Sequence, residues 1–243
     1  AIAAAALTAL LLWRTRAFGE LVARLEGNRR RRTTAGRTPP AAYSGKERLL
    51  LAMMMVFFFI YVGVEISVAN FLPSMQVDRL SVAPDTAAFS ITALWATITF
   101  GRLFAGAVAE RIGYAAFLML GCLGTCAALT ALVFADRLWS NYAAVLLFGL
   151  MLAGLFAIAL VFANQAMPGK TSRTTSILIA SGGIGGAVLP RLTGWLMDTA
   201  GTASTQWALA GLGAAMVLVV AAAMMYAKRR LPRPADPAAH PQQ

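Results

Sequence analysis

One carboxylate in this chain lies deep inside an apolar run. Glu65 sits within Leu49–Leu72, a stretch otherwise interrupted mainly by Asn70. A lone carboxylate in hydrocarbon costs several kcal/mol, so it must face a water-filled cavity, pair with a cation or carry a proton. Arg191 is the matching cation, because it stands sixteen residues into a later apolar run that begins at Thr175, as Glu65 stands sixteen residues after Leu49. At a rise of ~1.5 Å per residue the two share a depth of roughly 24 Å, so an ion pair Glu65–Arg191 is the expectation where their two helices are neighbours. Glu65 is equally suited to accept a hydrogen bond from a solute hydroxyl or to carry a proton. Asn70, five residues on, is a candidate to line the same cavity, and Trp95 offers a ring that either stacks on a solute or packs as an apolar group.

Other chemistry-bearing residues point away from catalysis. Cys122 and Cys126, four apart in an apolar run, share a helix face with no His, Asp or third Cys nearby, so they read as small packing residues. The single histidine, His240, lies in a polar tail, and no metal site or cofactor is expected. Ser181-Gly-Gly-Ile-Gly-Gly186 lacks the following Lys-Ser/Thr of a phosphate loop. Its spacing of Gly182 and Gly186 instead suits close helix packing.

The elements that must position these residues follow from composition. The chain has 243 residues, 59% hydrophobic and 13% charged, about half the charged share of a soluble domain. Apolar runs at Leu49–Leu72, Ala87–Val108, Ala115–Ala135, Tyr142–Ala163, Thr175–Met197 and Trp207–Ala227 read as six complete transmembrane helices. Ala1–Trp13 is too short to span and is expected to be the end of a further, truncated helix. Residues 14–48, with Arg29 to Arg32 in a row, form a basic linker, and residues 228–243 a Pro-rich disordered tail. Of the lysines and arginines, eighteen fall on the side of the linker and tail and three on the other, so linker and tail are expected to be cytoplasmic. The net charge of +11 is explained by that bias rather than by nucleic-acid binding.

The second run ends in Gly101-Arg-Leu-Phe-Ala-Gly106-Ala-Val-Ala-Glu110-Arg-Ile-Gly113. Its charges are expected at the cytoplasmic surface, where Arg102, Glu110 and Arg111, with Gly101, Gly106 and Gly113, form a candidate gate or else a charged loop that only anchors topology. The motif has an echo, since Gly106, Glu110 and Gly113 reappear as Gly194, Asp198 and Gly201 at an offset of 88 residues. Each copy closes the middle helix of a group of three, on opposite faces of the membrane. Two such units make an inverted repeat, an architecture typical of secondary transporters.

These features resemble the C-terminal six-helix half of a major facilitator superfamily transporter. Tyr61-Val-Gly-Val-Glu65, Trp95-x-x-x-Thr99-x-Gly101-Arg102 and Gly185-Gly186-x-x-x-Pro190-x-x-x-Gly194 are similar to its fucose-permease-like sugar:proton symporter branch. The resemblance implies an all-α integral membrane protein of the cytoplasmic membrane that moves a small polar solute, a sugar with protons, by alternating access. It also implies an N-terminal six-helix half as partner. A non-transporting sensor or scaffold that keeps the fold is the alternative reading. An enzyme is disfavoured, because the spans lack clustered ligands or nucleophiles.

Overall fold

The structure, a computed structural model, describes residues 43–230. The expectations for Ala1–Trp13, for most of the basic linker, and for the tail beyond Arg230 lie outside the described residues. Among the described residues every regular element is an α-helix. α1 is Gly45–Leu80, α2 Pro84–Ile112, α3 Tyr114–Phe134, α4 Leu138–Leu152, α5 Leu155–Ala166 and α6 Thr171–Arg230. Five helical stretches are long and apolar enough to cross a membrane, with α4 and α5 counting together as Leu138–Ala166.

Helix α1 begins four residues before the expected Leu49. Ser44 accepts from the Glu47 amide and the Glu47 carboxylate accepts from the Ser44 amide, a capping box that places the start inside the expected linker. Its 36 residues extend roughly 54 Å at ~1.5 Å each, well beyond a ~30 Å hydrocarbon core. Both ends can therefore carry charge. At one end Lys170 pairs with Glu47, and the Tyr43 hydroxyl bonds Thr174 at 2.9 Å. At the other, Arg79 bridges to Asp136 at 2.8 Å and donates to Gln206, while Thr202 donates to Asp78. These bonds tie the ends of α1 to the start of α6, to the segment around its break and to the α3–α4 connection.

Between its ends α1 is packed most closely on α6, and small residues set the distance. Val62 lies between Gly182 and Gly186, where an added Cβ would meet its methyl carbons at 2.9 and 3.0 Å. The closest approach is at Gly185, whose Cβ would fall 2.0 Å from the Phe59 carbonyl oxygen. Ser181 donates to the Met55 carbonyl at 2.8 Å and Thr193 bonds Ser67 at 3.0 Å. Residues 182, 185, 189 and 193 recur at helical spacing, so they form the stripe that faces α1.

Two helix breaks are made by glycine alone. Gly113, the single residue between α2 and α3, has φ 89° and ψ 141°, and Gly201, which breaks α6, has φ 78° and ψ 173°. The glycine expected at the end of each copy of the motif thus has positive φ with extended ψ, a region essentially reserved for glycine.

Replacing Gly185 by Ala should destabilise the protein by about 1–3 kcal/mol through overpacking against a backbone carbonyl. The exposed Gly183, where an added Cβ would meet nothing within 4 Å, should accept Ala with little change. Thermal unfolding of the two variants in detergent compares them directly.

Candidate functional site

The partner of Glu65 is Arg102. The Arg102 Nη2 lies 3.5 Å from the Glu65 Oε1, and no other cation is within salt-bridge distance of that carboxylate among the described residues. The antiparallel run of α1 and α2 makes this pairing geometric. Glu65 is 15 residues before the end of α1 and Arg102 is 18 after the start of α2, so they reach similar depths from the short Ser81–Ala83 turn. Arg102, expected with Glu110 and Arg111 at the cytoplasmic surface, is drawn to Glu65, and α2 continues past it to Ile112, roughly 15 Å further at ~1.5 Å per residue.

The expected Glu65–Arg191 pair is not formed. Arg191 is exposed, and its position on α6 is two residues from both Leu189 and Thr193 of the stripe that faces α1. At 100° per residue, two steps turn a side chain by about 200°, so equal depth does not bring Arg191 and Glu65 to one face.

Glu65 and Arg102 open onto a cavity of about 650 Å³ that Val62, Ala105, Gly106, Gly154, Phe156 and Ala157 help to line. The Glu65 side chain is 11% exposed and that of Arg102 53%, so the carboxylate is recessed and the guanidinium reaches into the open space. One contact at 3.5 Å leaves most of the five guanidinium N–H donors free.

The far wall is a broken helix. α4 ends at Leu152 and α5 starts at Leu155, with Gly154 between them at φ 81°. The break is wedged against α2 beside Arg102, because a Cβ on Gly154 would meet the Ala105 Cβ at 2.3 Å and one on Gly101 the Ala153 Cβ at 2.5 Å. α5 starts without a side-chain cap, so its first-turn amides lack the partner that a Ser or Asp N-cap would supply.

Tyr61, one turn before Glu65 on α1, touches both sides of the break. Its hydroxyl donates to the Leu152 carbonyl at 3.4 Å, and its ring centroid is 6.1 Å from that of Phe156. The ring is fully enclosed, stacked on Phe57 at 5.9 Å.

Of the residues expected to act, the structure brings Glu65, Arg102 and Gly106 to one cavity, with Gly101 packed behind it. Asn70 is exposed and does not line the cavity; five residues from Glu65, it is turned by about 140° around α1. Trp95, 39% exposed, also lies outside the lining, yet it is seven residues from Arg102 and so on the same stripe of α2. Glu110 and Arg111 are exposed at the end of α2 and form no ion pair among the described residues. Cys122 is buried and Cys126 half-buried, both as free thiols. Gly154 and Phe156 escaped the sequence reading. An Ala-Gly step in mid-span was the available signal, but nothing in it distinguishes a break from a packing glycine.

Membrane-crossing helices that enclose a charged cavity beside a helix break define an integral membrane protein with a polar internal site. A family model described as Major Facilitator Superfamily matches residues 49–243, and the chain belongs to that superfamily. It is 30% identical over 139 residues, 57% of this chain and 34% of the relative, to the glucose/mannose transporter GlcP of Bacillus subtilis (strain 168). Against major facilitator superfamily domain-containing protein 4A of Xenopus tropicalis it is 28% identical over 144 residues, 58% of this chain and 28% of the relative. The chain thus spans about a third of the length of these curated relatives.

Two solved structures share the fold. The fucose:proton symporter FucP of E. coli aligns with a TM-score of 0.65 at 17% identity, covering 72% of this chain and 42% of that one. An auto-inhibited POT family peptide transporter aligns with a TM-score of 0.64 at 15% identity, covering 77% and 39%.

Gly154→Ala should lower thermal stability in detergent by about 1–3 kcal/mol, since the new methyl group is both overpacked against Ala105 and on a left-handed backbone. Adding Ala105→Gly removes the clash and should restore part of the loss, leaving the backbone cost.

Proposed function

We propose that the chain is the C-terminal half of a secondary transporter that moves a small sugar, with protons, by alternating access. The observation that carries this reading is the Glu65–Arg102 pair in a 650 Å³ cavity against the α4–α5 break. An unwound point in a membrane helix is where polar solutes and coupling ions find backbone groups to bind. The recessed carboxylate suits sugar hydroxyls and the free guanidinium donors suit ring and hydroxyl oxygens. The choice of sugar rests on the sequence relative named as a glucose/mannose transporter, because the fold alone is shared by sugar and peptide transporters. Trp95, two turns along the Arg102 stripe, extends the site toward the Ser81–Ala83 end, and Asn70 is placed peripherally.

In this reading the described part contains six spans, with Gly201 separating the last two, arranged as two inverted three-helix repeats. The matching backbone of Gly113 and Gly201, 88 residues apart, supports that arrangement. The Glu47 and Glu110 ends face the cytoplasm of a cytoplasmic-membrane protein, as the charge bias favours. Arg102 then belongs to the solute site, while Glu110 and Arg111, with Gly113, remain for a cytoplasmic gate closed against an N-terminal six-helix half.

Counterflow of radiolabelled D-glucose, D-mannose and L-fucose by the complete protein in proteoliposomes tests the reading. Exchange of at least one sugar is expected, and inertness toward all three would overturn it. Arg102→Gln should reduce exchange by about tenfold or more, since it leaves a charged carboxylate uncompensated within the membrane. Glu65→Gln should abolish the dependence of uptake on external pH; uptake that kept its pH dependence would exclude Glu65 as the proton carrier.

A further inference from the structure

Tyr61 has one proton to donate and two acceptors beside it. The first is the Leu152 carbonyl at the end of α4, 3.4 Å away. The second is the Glu65 carboxylate, four residues and one helical turn along α1, which the Arg102 Nη2 also reaches at 3.5 Å. The Leu152 carbonyl is among those that a helix C-terminus leaves without an intrahelical partner, and the break at Ala153–Gly154 keeps α5 from supplying one. The phenol therefore completes the end of α4. Its ring meanwhile stays fixed between Phe57 of α1 and Phe156 of α5, so the hydroxyl can redirect its bond without moving the aromatic cluster. Both contacts that hold the present arrangement are long, 3.4 Å to Leu152 and 3.5 Å between Arg102 and Glu65.

We infer that Tyr61 is a positioning residue that couples occupancy of the Glu65–Arg102 pair to the stiffness of the α4–α5 break. With Arg102 on Glu65, the carboxylate is compensated and Tyr61 donates to Leu152, holding the break closed. When a solute draws Arg102 away, the uncompensated carboxylate is the stronger acceptor, and charge-assisted bonds are roughly twice as strong as neutral ones. Tyr61 then turns to Glu65 and the Leu152 carbonyl is released. No atom is transferred; a single O–H exchanges one acceptor for another. The solute thereby loosens the wall it binds against, which is what a site that must open on either side requires. This inference rests on the transport reading for its purpose, although the hydrogen-bond exchange itself does not need a solute.

Two measurements on the complete protein test it. In the first, hydrogen–deuterium exchange is followed at the break, residues 153–158, in detergent without solute. Tyr61→Phe, which keeps the ring, and Arg102→Gln, which frees the carboxylate, should each speed exchange there by about three- to tenfold, the range set by losing one hydrogen bond. Adding Glu65→Met to Arg102→Gln removes the competing acceptor and should return the break to its native protection. If Arg102→Gln leaves exchange unchanged, or if Glu65→Met fails to reverse it, the coupling does not exist and Tyr61 is only a cap. In the second, Tyr61→Phe should lower the maximal rate of D-glucose counterflow about tenfold while KM stays within twofold; a change confined to KM would overturn the positioning role. A native protein that exchanges none of D-glucose, D-mannose and L-fucose would count against the sugar reading alone, and the first measurement would still decide the inference.

Discussion

A carboxylate placed in the middle of a membrane helix has to be answered where it lies. Glu65 is more than twenty ångströms, at ~1.5 Å per residue, from either end of α1, out of reach of aqueous counterions, and the bundle is built so that Arg102 reaches it from α2. Several features follow from this need. α2 has to run past the charge rather than end at it, so it continues to Ile112. The guanidinium, half exposed, stands in a cavity bounded by the α4–α5 break. Gly101 and Ala105, flanking Arg102, have to be small for the broken helix to come close.

The pair sits between two polar seams at the ends of the bundle. At one, Glu47, Lys170, Tyr43 and Thr174 join the start of α1 to the start of α6. At the other, Asp78, Arg79, Asp136, Thr202 and Gln206 join the end of α1 to the α3–α4 connection and to the turn at Gly201. The glycine-lined contact of α1 with α6 completes a stiff two-helix spine. Against that spine the interrupted α4–α5 span has one discontinuity in mid-membrane. The closely packed α1 and the broken α4–α5 helix thus line one cavity.

Much of this was legible in the sequence, and the reasons for the remainder are specific. Long apolar runs gave the helices, because a helix satisfies its backbone polar groups within one continuous segment. The Gly182–Gly186 spacing pointed to close helix packing; the structure supplies the partner, α1, whose Phe59 carbonyl is approached most closely at Gly185. Glu65 was identifiable from its depth alone. Its partner was not, because depth fixes one coordinate of a side chain and the turn around the helix fixes the other. Arg191 satisfied the first and failed the second, while Arg102, read with the charges at the end of its run, turned out to be the partner. Gly154 was hidden for a different reason. A glycine in a membrane helix is common as a packing residue, and the sequence does not record the sign of φ.

Gly113 and Gly201 carry a stereochemical meaning beyond stopping a helix. Their backbone angles suit a residue that has no handedness, and every L-side chain would be strained there. A helix packing face can be rewritten with many combinations of apolar residues, and a surface loop with almost any polar ones. An achiral hinge has a vocabulary of one letter. Gly113 and Gly201 are two such positions, and a helix breaks at each of them.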